Sequence, residues 1–80
     1  MPGQSDPLSF EEHRQMSAEL RGMTARLREL YVLAEDVYGA GSPATARFGE
    51  ALEALARART GMQTQAEADL PDYQARGLYE

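Results

Sequence analysis

A chain of 80 residues without cysteine holds one domain at most and buries only roughly 60% of its unfolded surface. It has no disulfide, thiolate metal site or thiol nucleophile to draw on, so a partner chain is the expected source of further stability. Thirteen acidic residues against eight basic ones, all eight of them arginine, give a net charge of −5, which repels phosphate backbones and makes general nucleic-acid binding unexpected.

Residues 1–8, "MPGQSDPL", contain two prolines, a glycine and small polar groups. They show no apolar period and are expected to form a disordered arm. They carry neither the basic region nor the apolar core of an export signal, and no apolar run approaches the ~20 residues of a membrane span. A cytoplasmic protein with no membrane association is expected, and its arginine-only, alanine-rich usage suits a GC-rich bacterial genome.

The first helix is predicted over 9–38. In "SFEE", Ser9 can accept from the amide three residues on while Glu12 reaches back to the Ser9 amide, the reciprocal bonds of a capping box. From there His13, Met16, Leu20, Met23, Leu27, Leu30, Ala34 and Val37 recur at spacings of three and four, a heptad seam facing a partner helix. Gly22 lies off that seam and either is tolerated or splits the helix.

The stretch "YGAGSP" supplies a stop and then a start: Gly39 and Gly41 favour a helix end, Ser42 an N-cap and Pro43 a first helical position. A turn is therefore predicted over 39–42 and a second helix over 43–69. A phosphate-binding loop would need a preceding strand and a lysine beside Ser or Thr, and neither is present. The second seam runs Thr45, Phe48, Leu52, Leu55, Arg59, Met62, Ala66 and Asp69. Folded antiparallel, the two seams match layer by layer. Ala34 meets Phe48, Leu30 meets Leu52, Leu27 meets Leu55, Leu20 meets Met62, Met16 meets Ala66, and His13 meets Asp69. Arg59, opposite Met23, must snorkel outward or find a carboxylate, with Glu19 the nearest in this register. Gly61 offers an earlier end to the second helix.

The fold class is thus all-α, an antiparallel two-helix hairpin. One flank of each helix stays bare, with Tyr31, Leu33 and Tyr38 on the first and Ala51 and Ala58 on the second, and two hairpins pairing as a four-helix bundle would cover both. A homodimer is the expected assembly. The tail, 70–80, opens with Leu-Pro and contains Tyr73, Leu78 and Tyr79. These are either anchors for a protein partner or a cover folded back on the chain's own bundle.

Candidate chemistry is sparse. His13, beside Glu12 and opposite Asp69, reads as an interhelical hydrogen bond, because a base needs a nucleophile in reach, while Ser9 reads as a cap and Ser17 as a surface position, and a di-metal bundle needs Glu-x-x-His on its helices. The sequence assigns no catalytic, cofactor or metal residue. Glu11 and Glu12 suit the positive end of a helix dipole; Glu35 and Asp36 sit near the opposite end and form a candidate partner-facing patch. Arg21, Arg26 and Arg28, with Arg57 and Arg59 across the hairpin, make a local basic band, although Glu19, Glu29, Glu50 and Glu53 offer helical ion pairs instead. The outline is similar to small secreted hairpins of the WXG type and to secretion needle subunits. The turn Tyr38-Gly39-Ala40-Gly41 has no tryptophan, however, and the termini lack the needle signature, so no family is assigned. The expected function is non-enzymatic: a self-associating adaptor or assembly subunit presenting a helical face and a tyrosine-bearing tail to a protein partner of unknown identity. The alternative is a small regulator that binds nucleic acid or an anionic ligand through the arginine band.

Overall fold

The computed structural model describes residues 6–80, and its elements are α1 (Phe10–Tyr38), α2 (Pro43–Asp69) and one short turn, α3 (Asp72–Ala75). Of the arm expected over 1–8, residues 1–5 lie outside the described residues; 6–9 have no regular secondary structure.

Each helix boundary has a local cause. At the start of α1, Ser9 Oγ accepts from the Glu12 amide at 3.1 Å, and the Ser9 amide donates to Glu12 Oε1 at 2.8 Å. The helix then passes Gly22 without a break, since one glycine costs only ~1 kcal/mol against a run of good helix formers. It stops at Gly39, whose φ of 92° and ψ of 152° are nearly confined to glycine. There Ser42 caps α2 by accepting from the Thr45 amide at 3.1 Å, and its hydroxyl donates to Thr45 Oγ1 at 2.8 Å. Thr45 Oγ1 in turn donates to the Gly39 carbonyl at 2.8 Å. This chain of hydroxyls ties the start of α2 to the end of α1 and leaves the buried Thr45 fully bonded.

The two long helices pack antiparallel. The α2 contact line is the one its spacing indicates: Thr45 and Ala66 are buried, and Phe48, Leu52, Leu55, Arg59, Met62 and Asp69 are half-buried. On α1 the contact line is rotated. His13, Leu20, Leu27 and Ala34 face α2, and between them Ser17 and Thr24 are buried and Leu30 and Tyr31 both half-buried, while Met23 is 50% and Val37 61% exposed. The expected seam of Met16, Met23 and Val37 is corrected on this point. Polar residues can take the inward places because each is satisfied there. Ser17 Oγ donates to the Leu78 carbonyl at 2.7 Å, and Thr24 Oγ1 donates back to the Leu20 carbonyl at 2.8 Å. Tyr31 lies over Gly49, with its Cε1 3.5 Å from where a glycine Cβ would stand.

The result is one layer of helices, 45 × 30 × 15 Å. Among the described residues the fully buried apolar side chains are Ala34, Ala66, Ala75 and Tyr79, and the last three form a cluster with Leu20, Met62, Leu70 and Leu78. The densest packing therefore lies at the open end of the hairpin, where the tail returns.

A Cβ on Gly22 or Gly61 would meet nothing within 4 Å, so Gly22→Ala and Gly61→Ala should each raise unfolding free energy by about 0.5–1 kcal/mol. Gly39→Ala should lower it by about 1–3 kcal/mol. Urea unfolding followed by helical circular dichroism measures all three.

Candidate functional site

The capping box sets the phase of α1, so His13 falls in its first turn on the inward side. Asp69 is the last residue of α2, and the antiparallel arrangement brings these two ends together. His13 Nε2 lies 3.0 Å from Asp69 Oδ2, the pairing that the matched seams require. The other ring nitrogen is also engaged: Nδ1 lies 2.8 Å from the Tyr79 hydroxyl, and the two rings meet edge to face at 5.7 Å.

One proton arrangement satisfies every group. The ionised Asp69 can only accept, so Nε2–H donates to it; Nδ1 is then an acceptor, and the Tyr79 hydroxyl donates to it. Gln65 Nε2 donates to the second carboxylate oxygen at 2.8 Å. Hydrogen bonds from His13 and then Gln65 hold the Asp69 carboxyl below its ordinary 3.8, while burial, followed by the charge of Asp69, pushes the Tyr79 phenol above its ordinary 10.0.

Four further hydrogen bonds fasten the tail. Ser17 donates to the Leu78 carbonyl, Arg59 Nε donates to the Tyr79 carbonyl at 3.2 Å, and Gln63 both donates to the Ala75 carbonyl at 2.8 Å and accepts from the Tyr79 amide at 2.9 Å. Arg59 thus finds a tail carbonyl in place of the expected Glu19. Arg21 Nη2 donates to Ser17 Oγ at 2.8 Å, completing the hydroxyl's bonding. Among the described residues, every buried side-chain nitrogen and oxygen has a partner.

Chemically this junction is a clasp. His13 is fully buried with both nitrogens occupied, so neither is open to a substrate or a metal ion. Among the described residues no group of three His, Asp or Glu side chains is placed to hold a metal.

The structure separates the residues singled out in the tail. Tyr79 is buried and Leu78 half-buried on their own hairpin, and Tyr73, 78% exposed, is the one that faces outward. Of the expected flank, Tyr31 belongs to the interhelical contact, Leu33, Tyr38 and Ala58 are exposed, and Ala51 is half-buried. The arginines do not converge: Arg21 and Arg28 share a column, Arg26 lies about 140° round the helix from Arg21 and pairs with Glu29 at 3.1 Å, and Arg57 is exposed on α2. Ser17, expected at the surface, is 3% exposed because the tail covers it, and Gln63 carries no sequence signal for its role. The single available signal was that Ser17 follows His13 by four positions and shares its face. Compared with known protein families, curated proteins and solved structures, the chain matches none.

Tyr79→Phe leaves the buried Nδ1 of His13 without its donor and should cost about 1–3 kcal/mol of unfolding free energy, measured by urea unfolding. Titration adds a signed pair of limits. The Asp69 contribution is complete above pH 3.8 and is lost as pH falls through its lower folded value. The Tyr79 contribution is complete below pH 10.0 and is lost as pH rises through its higher folded value. The tyrosinate absorbance titration should therefore lose its uppermost part in Tyr79→Phe; an unchanged curve contradicts the burial of this phenol.

Proposed function

We propose that this chain is a non-enzymatic helical-hairpin module that self-associates, two copies packing face to face as a four-helix bundle, and that it serves as an adaptor or assembly subunit in the cytoplasm. The observation that carries this reading is an apolar face left open by the hairpin. Met16, Met23, Leu30 and Val37 stand seven residues apart on α1 and so form one line, with Leu33 beside it. On α2, Phe48 and Leu55 form the matching line, with Ala51 and Ala58 beside it. In an antiparallel pair these lines fall on the same side of the layer. Met16 is 37% and Leu33 57% exposed, besides the half or more of Met23 and Val37, an exposed apolar line beside which the column of Leu33 also carries Glu19 and Arg26.

A second copy suits this face for two physical reasons. Stable domains bury their helices between two layers, and a body 15 Å thick supplies one. The face extends over about 40 Å of helix and two helix widths of about 10 Å each, or about 800 Å², which is the area each partner contributes to a standard stable interface. An isologous pairing would set methionines and leucines of one copy against Ala51 and Ala58 of the other, so that bulky side chains meet small ones. The tail lies against Ser17, Arg59 and Gln63, on the other side of the layer, and leaves the face unobstructed.

Light scattering during size-exclusion chromatography should return twice the chain mass of 8.8 kDa for the wild type and Met23→Leu, and the single mass for Met23→Glu with its helical circular dichroism retained. A wild type that stays at the single mass over a wide concentration range would refute self-association.

A further inference from the structure

The fastening of the tail depends on the protonation state of one buried side chain. His13 is the point where α1, α2 and the tail meet, and its two neighbours have fixed roles. Asp69 on α2 can only accept, so it commits Nε2 as a donor. Tyr79 on the tail then needs Nδ1 as an acceptor, because its hydroxyl proton has no other partner within this buried contact.

A second proton on the imidazole makes Nδ1 a donor too. The Asp69 bond survives and gains charge, whereas the Tyr79 bond reverses: the phenol oxygen must now accept, and its own proton is left buried without an acceptor. A buried donor without a partner is costly. The other charged groups at the junction do not offset this. Glu12 on α1 is turned back to the Ser9 amide, Arg21 is spent on Ser17, and Arg59 on α2 holds the Tyr79 carbonyl. None offers an acceptor to the phenol. Asp69 is bonded to the other ring nitrogen, Nε2, and to Gln65.

We propose that His13 is a proton-operated latch: neutral, it clasps the C-terminal tail to the hairpin, and protonated, it releases it. Release would leave the α1 capping box and the turn hydroxyls in place, since their hydrogen bonds do not involve the tail. It would uncover Leu20, Met62 and Ala66, which now pack with Leu78, Tyr79 and Ala75, and would free Leu78 and Tyr79 for another contact. The device lies opposite the self-association face and does not rest on it.

Amide exchange of the full-length protein, corrected for intrinsic rates, tests the latch directly. The Tyr79 amide, which donates to Gln63 Oε1, should lose protection by ~10-fold or more as the pH of the series is lowered. The His13 ring resonance, followed in the same pH series, should move with the same midpoint, while amides at the centre of α2 keep their protection. His13→Gln supplies an N–H and a carbonyl oxygen without a titratable proton, and should hold the Tyr79 amide protected within ~2-fold over that series. Tail release that persists in His13→Gln, or a His13 titration that completes in the wild type with tail protection unchanged, overturns the proposal. The wild-type series decides alone should His13→Gln lose its helical circular dichroism.

Discussion

One imidazole holds three parts of this chain together. The first turn of α1, the last residue of α2 and Tyr79 of the tail all end on His13, which is fully buried. A buried ring with two polar nitrogens is acceptable only if both are bonded. That requirement fixes the register of the helices and the path of the tail together. A slip of one residue along either helix would remove the carboxylate, and a different tail path would leave Nδ1 orphaned.

The two ends of the hairpin solve the same problem by different means. At the turn, Ser42, Thr45 and Gly39 form a short hydroxyl-to-carbonyl chain that uses three residues already next to one another. At the open end the partners come from distant parts of the sequence, and small alanines at 66 and 75 let the tail approach closely enough for side chains of α1 and α2 to reach its backbone. Individual hydrogen bonds contribute about 0.5–1.5 kcal/mol net, so the tail is held by their number and by the burial of Tyr79. Between these ends the leucines of the central layers are only half-buried. A layer this thin leaves apolar side chains such as Met23 and Val37 half or more exposed.

Much of this was legible in the residues themselves. The capping box at Ser9, the stop-and-start order at Gly39 to Pro43 and the complementary seams point to a hairpin, and the same register pairs His13 with Asp69. The side of α1 that faces inward was not legible, because positions 16 and 17, 23 and 24, and 30 and 31 are equally compatible with a line through His13, Leu20, Leu27 and Ala34. Hydrophobicity favours methionine over serine or threonine at the first two choices, and at the third Leu30 and Tyr31 are both half-buried. The structure takes the polar residue because the tail arrives over Ser17 with a carbonyl to bond, and because Thr24 satisfies its own hydroxyl. Tyr79 escaped the same reading: nothing within the tail's own composition shows that its phenol is the missing donor for a histidine 66 positions earlier.

The protonation pattern of the His13 ring is the most direct measure of this arrangement. Nitrogen-15 spectra of the neutral ring should show a single tautomer, with Nε2 carrying the hydrogen and Nδ1 bare but hydrogen-bonded, and its signals should shift when Tyr79 is replaced by phenylalanine. A ring with the hydrogen on Nδ1, or one averaging rapidly between both tautomers as in free solution, would contradict the junction on which the fold of the open end depends.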